Sequence, residues 1–439
     1  MALEKGVVTQ TPAETPVRVL YLCHDGGLYG AEQSLLQLIR HLDTTQVMPF
    51  VSIARKGPLA EVMAAIPGVT VLSHQRVSWV KHAQRHWFQR IGDVIVLGIN
   101  ALRRVPPLVQ AIKTHRIQVV HTNSVVSLEG ALAVAYCRLT GHSVAHVWHI
   151  RELFTYPNPR FQPVLGVWAM RYGIPLLSQR IIAISQAVID QFPNRPAWST
   201  SKKSARRSVI SDPNAVVVLP NPVPLNINSP KKNSLPPTTI PHTFRLGFVG
   251  RLSPGKGLLT VIYALEHLNN HSHNKNHPHH TIELHLFGKF VDAQAEADIL
   301  TAIQQCNVAS QVVFHGFTEP SVIYNLIDAL ILPSTNEAFG RVLVEAMANG
   351  VLCLGSNAGA IPELIKPNET GWLFEANNAT DCAQQVTNLL DQWRQQPHVI
   401  EAIRNQAAQH ALSMCNPNRH AANVTRVYQS IVAEEGQTA

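Results

Sequence analysis

The sequence predicts an α/β protein built from two doubly wound parallel-sheet domains that face one cleft. Three observations carry this expectation. Short apolar runs alternate with helical patterns along the chain, a single Pro- and Asn-rich stretch interrupts the alternation, and the length of 439 residues is two to three times the ~150 residues of an ordinary domain. Strands that alternate with helices form a parallel sheet covered on both faces.

The first series opens with the apolar run VRVLYLC at 17–23, a glycine-rich stretch at 24–30 and a helical pattern over 31–42. Strands follow at 50–54, 70–72, 118–121, 143–149, 180–184 and 216–219, with helical patterns at 59–66, before Ile117 and at 128–139. The composition then changes to PNPVPLNINSPKKNSLPPTTIPHT, which reads as a linker. A second series has strands at 244–249, 282–287, 312–315, 329–333 and 352–356, and helices at 258–268, 293–304, 321–326 and 340–349. An amphipathic pattern at 418–432 closes the chain. The expected organisation is a flexible 1–16, a first Rossmann-like domain 17–220, a linker 221–243, a second Rossmann-like domain 244–415 and a terminal helix 416–439. Ligands of such folds sit outside the carboxyl ends of the strands.

Apolar residues make up 46% and charged residues 15% of the chain, which excludes a disordered or coiled-coil protein. Six scattered cysteines without a C-x-x-C pair point to a reducing compartment, not a disulfide framework or zinc site. Glu4 and Lys5 stand where a signal peptide would be apolar, and the run from Val94 to Leu102 is half a membrane span and is closed by Arg103, Arg104, Pro106 and Pro107. The expected location is cytoplasmic. Charge is uneven: residues 1–240 carry 25 Lys and Arg against 11 Asp and Glu, while 241–439 carry 11 against 17. Such asymmetry points the first half toward an anionic partner. Two stretches look inserted, the basic 199–207 and a run with five histidines at 271–280. The latter has no carboxylate companions, so loop composition explains it better than a metal site.

Four stretches hold candidate chemistry. In NEAFGRVLVEAMANG, a helix starting near Gly340 offers backbone N–H groups at Phe339, Gly340 and Arg341 to a phosphate or sugar hydroxyl, and Glu337 and Glu345 are spaced to flank a nucleotide sugar. A capping acid and a solvated helical acid are the alternative. In LGFVGRLSPGKG, Gly250, Arg251 and Lys256 come together in a pattern suited to a diphosphate, or to two solvated cations on a glycine loop. Gly26 and Gly27 stand at the first strand-to-helix turn, where glycine admits a ligand to the backbone or simply makes a tight turn. His149 ends a buried strand on the side where ligands bind, although a lone histidine is more often structural.

These residues resemble a retaining glycosyltransferase of family 4 (glycosyl transferases group 1) with the GT-B architecture, from Arg18 to about residue 435. The resemblance rests on Gly26-Gly27 with Gly30-Ala31-Glu32, on His149, on Asn221-Pro222-Val223, on Gly250-Arg251-Leu252 with Lys256-Gly257, and on Asn336 to Gly350 with Glu363. It implies that Glu345 holds the donor ribose, that Glu337 with the backbone of Ala338, Phe339 and Gly340 contacts the sugar, and that Arg251 and Lys256 bind the diphosphate. It also implies that the Gly26-Gly27 loop and His149 lie against the transferred sugar, and that the terminal helix crosses back onto the first domain. No D-x-D triplet occurs, in keeping with members that need neither metal nor cofactor. Retention without a covalent intermediate is the family expectation. Gly255 before the lysine, and Ile150, Arg151 and Glu152 after the histidine, depart from the usual pattern.

Residues 78–91 (SWVKHAQRHWFQRI) have a helical period with Trp79, Trp87 and Phe88 on an apolar face and Lys81, Arg85 and Arg90 on a basic one. This fits either an anionic membrane interface or an ordinary core stripe. No recognisable nucleic-acid module accompanies the charge, so nucleic acid is not expected. The expected activity is metal-independent transfer of a hexose-type sugar from a nucleoside diphosphate sugar to a lipid-linked, polysaccharide or small hydroxylated acceptor, in the cytoplasm or peripherally on the inner face of a membrane. The alternative is a nucleotide-sugar-binding regulator without turnover.

Overall fold

The computed structural model describes residues 15–81, 87–155, 161–193, 216–224, 243–271 and 281–438. The first half runs β1 (Val17–Cys23), α1 (Gly30–Arg40), β2 (Val47–Ile53), α2 (Pro58–Ala64), β3 (Thr70–Ser73), β4 (Val80–Lys81), α3 (Trp87–Thr114), β5 (Val119–Thr122), α4 (Glu129–Leu139), β6 (Ala145–Ile150), β7 (Gln162–Pro163), α5 (Gly166–Leu176), β8 (Arg180–Ala183), α6 (Gln186–Ile189) and β9 (Val216–Val218). The second runs β10 (Phe244–Val249), α7 (Leu258–His271), β11 (Ile282–Phe287), α8 (Ala293–Gln305), β12 (Val312–Gly316), α9 (Pro320–Leu326), β13 (Ala329–Leu332), α10 (Arg341–Ala348), β14 (Leu352–Ser356), α11 (Ile361–Leu364), β15 (Trp372–Phe374), α12 (Ala379–Gln395), α13 (Pro397–Met414) and α14 (Pro417–Thr438).

Each half centres on one parallel sheet, with strand orders β3-β2-β1-β5-β6-β8-β9 and β12-β11-β10-β13-β14-β15. Central strands such as β5, β6 and β13 are buried at every position, which explains their unbroken apolar runs. Helices on both faces supply the rest of the cores, and Trp148, Trp372 and Trp393 are among the largest fully buried side chains. The helix α14 lies on the first sheet: Ala421, Val424, Val427 and Ile431 join the core of β1 and α1, and the Tyr428 hydroxyl is 2.8 Å from His121 Nδ1.

Residues 78–91 are not one helix, which corrects the membrane-face expectation for Trp79 and Lys81. Trp79 is 3% exposed, donates its indole N–H to Val125 O at 2.6 Å and stacks on Trp148 at 5.7 Å. Val80 and Lys81 pair with Pro163 and Gln162, so Trp79 and Val80, which mimic the start of a helical stripe, are core residues at a short strand. Lys81 Nζ lies 3.3 Å from Asp93. Arg85, the side chains of Trp87 and Phe88, and most of the two inserted stretches lie outside the described residues, whereas Arg90 is exposed in α3. Among the described residues no helix is long and apolar enough to cross a membrane.

Candidate functional site

In each sheet the winding reverses beside its first strand, between β1 and β5 and between β10 and β13. The carboxyl ends of strands at such points are where open α/β sheets bind ligands. The two crevices face each other here across a cavity of about 470 Å³.

The second domain contributes the loop after β13. Glu337, Ala338, Phe339, Gly340 and Arg341 all line the cavity. Gly340 is the N-cap of α10 at φ +89°, and no side-chain oxygen caps the helix. A capless helix end presents backbone N–H groups and a positive dipole to whatever enters the cleft. The loop is fixed from behind, since Ala360 N donates to Glu337 O at 2.8 Å. Gly257, at φ +76°, approaches so closely that a Cβ there would stand 1.9 Å from Pro333 O. That approach sets Lys256 beside the loop, with Nζ 2.8 Å from Glu337 Oε2. Arg251 follows Gly250, at φ +148°, and also lines the cavity.

Glu345 lies one turn into α10. Its Oε1 accepts from Arg341 Nε at 2.7 Å and its Oε2 from the Tyr324 hydroxyl at 2.9 Å. Burial, and then the charge of Glu345, push the Tyr324 phenol well above its ordinary pKa, so it remains a donor. Tyr324 was missed in the sequence, where a Tyr in a short helical pattern carries no signal beyond packing.

On the first-domain side the structure brings different residues to the cleft from those expected. Gly26 and Gly27 do not line it. A Cβ on Gly26 would stand 2.2 Å from Arg55 O, so glycine is required there by the neighbouring loop. Tyr29, Gly30 and Ala31 line the cavity instead, with Glu32, a buried carboxyl 3.2 Å from His24 Nδ1. Burial raises the Glu32 pKa and His24 opposes the rise.

His149 is likewise absent from the lining. It is fully buried behind it, with Nδ1 3.2 Å from His121 Nε2 and 3.3 Å from Arg151 Nη2. Burial, and then the Arg151 charge, hold His149 far below the usual histidine range, so its ring is neutral. The reason is the pleat: β6 ends at Ile150, and the chain beyond it, Arg151 and Glu152, reaches the cavity. Arg151 is held by Asn123 Oδ1 at 2.9 Å and by Asn221 Oδ1, and burial lowers its pKa to about 10. Glu152 is fixed by Ser124 Oγ and Val125 N. In the sequence this pair shows only as a departure beside His149; its position past a strand's carboxyl end is the signal that finds it. Among the described residues no three His, Cys, Asp or Glu side chains come together as metal ligands.

With this geometry the chain was compared with known proteins. Residues 236–406 match the family model described as glycosyl transferases group 1. An N-acetyl-alpha-D-glucosaminyl L-malate synthase of Bacillus anthracis is 38% identical over 93 residues, 21% of this chain and 24% of that protein. A D-inositol 3-phosphate glycosyltransferase of Corynebacterium glutamicum (strain R) is 29% identical over 154 residues, 34% and 36% of the two chains. The chain thus spans about a quarter to a third of the length of these relatives. Crystal structures of Anabaena Alr3699/HepE in complex with UDP (TM-score 0.68, 20% identity, 94% of this chain and 100% of that one) and of sucrose-phosphate synthase from Thermosynechococcus elongatus (0.67, 15%, 95% and 100%) share the fold over both domains. Residues 236–406 are thus similar to the glycosyl transferases group 1 family, in a chain whose two facing parallel-sheet domains have the GT-B fold.

Proposed function

We propose that the protein is a retaining, metal-independent glycosyltransferase that moves a hexose-type sugar from a nucleoside diphosphate sugar to a hydroxylated acceptor. The observation that carries this reading is the convergence of the capless start of α10, Arg251 and the Lys256–Glu337 pair on the second-domain side of the cleft. In this reading Glu345, oriented by Tyr324 and Arg341, takes the ribose diol, and the α10 N–H groups with Arg251 and Lys256 take the diphosphate. The attraction of their fixed positive charge for the leaving group strengthens as the bond from the anomeric carbon to the diphosphate oxygen breaks and negative charge grows on the diphosphate. The acceptor oxygen bonds to the anomeric carbon on the departing face, and its proton passes to a phosphate oxygen. Arg151, Glu152, Glu32 and Asn221 shape the acceptor side of the cavity.

The neighbour solved with UDP guides the choice of probe. Calorimetric titration with UDP and a panel of nucleoside diphosphate sugars, in EDTA and then in Mg²⁺, tests the reading. Binding by one nucleotide series in EDTA, lost in Glu345→Ala, is the expected result, and turnover of that donor with an acceptor separates an enzyme from a non-catalytic binder. No binding by any member of the panel would overturn it.

A further inference from the structure

The helix α3 buries one face, at Leu97, Val105 and Leu108, and leaves the opposite face apolar and open. Ile91, Val94, Ile95, Ile99 and Leu102 recur at helical spacing and are 56%, 42%, 58%, 43% and 79% exposed. The helix α5 repeats the arrangement. Met170 and Ile174 are buried, while Leu165, Trp168, Tyr172 and Leu176, spaced three, seven and eleven residues from the first, stand out at 47%, 71%, 44% and 73%. The strands β4 and β7 pair immediately before the two helices begin. Five residues lie between Lys81 and Trp87 and two between Pro163 and Gly166, so at ~3.5 Å per residue the helix starts stand within roughly 40 Å of each other. Scattered exposed apolar residues need no explanation, but nine of them ordered along the outer faces of two helices of the first domain mark an interaction surface.

Charge identifies the partner. Arg90, Arg103 and Lys113 are exposed on α3, and its one acid, Asp93, is neutralised by Lys81. The stretch 165–176 holds Arg171 and no acid at all. A second copy of the chain docked face to face would set positive against positive, whereas an anionic lipid surface matches both the charge and the apolar stripe, with Trp168 and Tyr172 at interface depth.

We propose that the outer faces of α3 and α5 form a monotopic docking surface for an anionic bilayer. This is independent of the catalytic reading and differs from the 78–91 helix expected from the sequence, because Trp79 is core and the docking residues, apart from Arg90 and Ile91, lie farther along.

Vesicle co-sedimentation of the full chain tests it, with phosphatidylcholine alone and with a phosphatidylglycerol mixture. The expected result is binding to the anionic vesicles only, weakened by salt. Ile95→Ser with Trp168→Ser, both exposed and so compatible with folding, should abolish it. Arg90→Gln with Arg103→Gln should weaken it by more than about tenfold, since each basic residue near an anionic surface contributes roughly fivefold. Circular dichroism and UDP titration check that the variants remain folded. No binding of the wild-type chain to anionic vesicles, equal binding to neutral ones, unchanged binding in the variants, or a wild-type dimer in light scattering that the serine variant dissolves would each overturn the proposal.

Discussion

At Lys256 the proposed role in catalysis and the role in stability can be separated. Its ammonium and the Glu337 carboxylate are both partly exposed, at 27% and 18%, and such pairs contribute little to stability, about 0–1 kcal/mol. Lys256→Ala should therefore leave the melting temperature nearly unchanged while lowering kcat by ~10²–10³, the scale seen when one electrostatic contact to a developing charge is removed. Steady-state kinetics beside calorimetry checks this, and a normal rate would remove Lys256 from the diphosphate site. Gly257 behaves in the opposite way. A left-handed conformation costs a non-glycine residue ~1–2 kcal/mol, and the added carbon would collide with Pro333 O. Gly257→Ala should thus lower stability by more than about 2 kcal/mol and shift Lys256 with it, measured by chemical denaturation. Burial also lowers His146 to about 4 and His420 to about 3. The unfolded chain, with histidines near 6.5, binds more protons than the folded one below that pH, so stability is full above about 6.5 and falls as pH drops toward those values, with a slope of up to ~1.4 kcal/mol per pH unit for each histidine. Denaturation midpoints at pH 7.5 and pH 5 read this directly, and equal midpoints would show that the rings are reached by protons in the folded state.

At the scale of elements, α10 links packing to binding. Leu343, Val344, Ala346 and Met347 bury one face, which turns Glu345 toward Arg341 and Tyr324. Tyr324→Phe keeps the ring in the core but removes the donor to Glu345. We expect nucleotide affinity to fall by about tenfold or more, the net value of one hydrogen bond to a charged group, with a small change in melting temperature; calorimetry with UDP decides it, and unchanged affinity would mean Arg341 alone orients Glu345. The start of this helix was legible in the sequence because a glycine stands between a strand pattern and a helical one, and β10, β11 and β14 were legible to the residue because buried parallel strands are bounded apolar runs. Where two periods coincide, the reading fails. Trp79 and Val80 satisfy both a helical count and a short strand, and only the partners Val125 and Pro163, distant in sequence, decide between them. For the same reason His149 was placed in the cleft and Arg151 was not: which side of a strand end meets the cavity is a property of the sheet. The helix α12 was not read in the sequence although its stripe, at Cys382, Val386, Leu389, Leu390 and Trp393, has a helical period, whereas the three residues of β15 are too few to carry one.

Across the whole molecule the two domains are joined by more than the linker and α14. Ser185 Oγ donates to Ala338 O at 2.7 Å, Arg341 Nη1 reaches Gly30 O at 3.4 Å, and the backbone N–H groups of Gln186 and Ala187 each donate at 2.8 Å to the Glu363 carboxylate. Glu363 belongs to α11, whose preceding residue Ala360 holds the Glu337 carbonyl. The carboxylate that meets the first domain thus stands a few residues from the contact that fixes the Glu337 loop, and domain approach and loop geometry are set together. Glu363→Ala removes both charge-assisted bonds without touching the cavity lining. Because they are solvent-exposed, together they contribute on the order of 1 kcal/mol, enough to shift the population of closed molecules by about fivefold. The variant should show a larger radius of gyration in small-angle scattering without ligand, recover the compact value with saturating UDP, and bind UDP several-fold more weakly with little change in melting temperature. An unchanged radius and affinity would show that α14 and the Ser185–Ala338 contact hold the domains unaided, and that the cleft is formed before any nucleotide arrives.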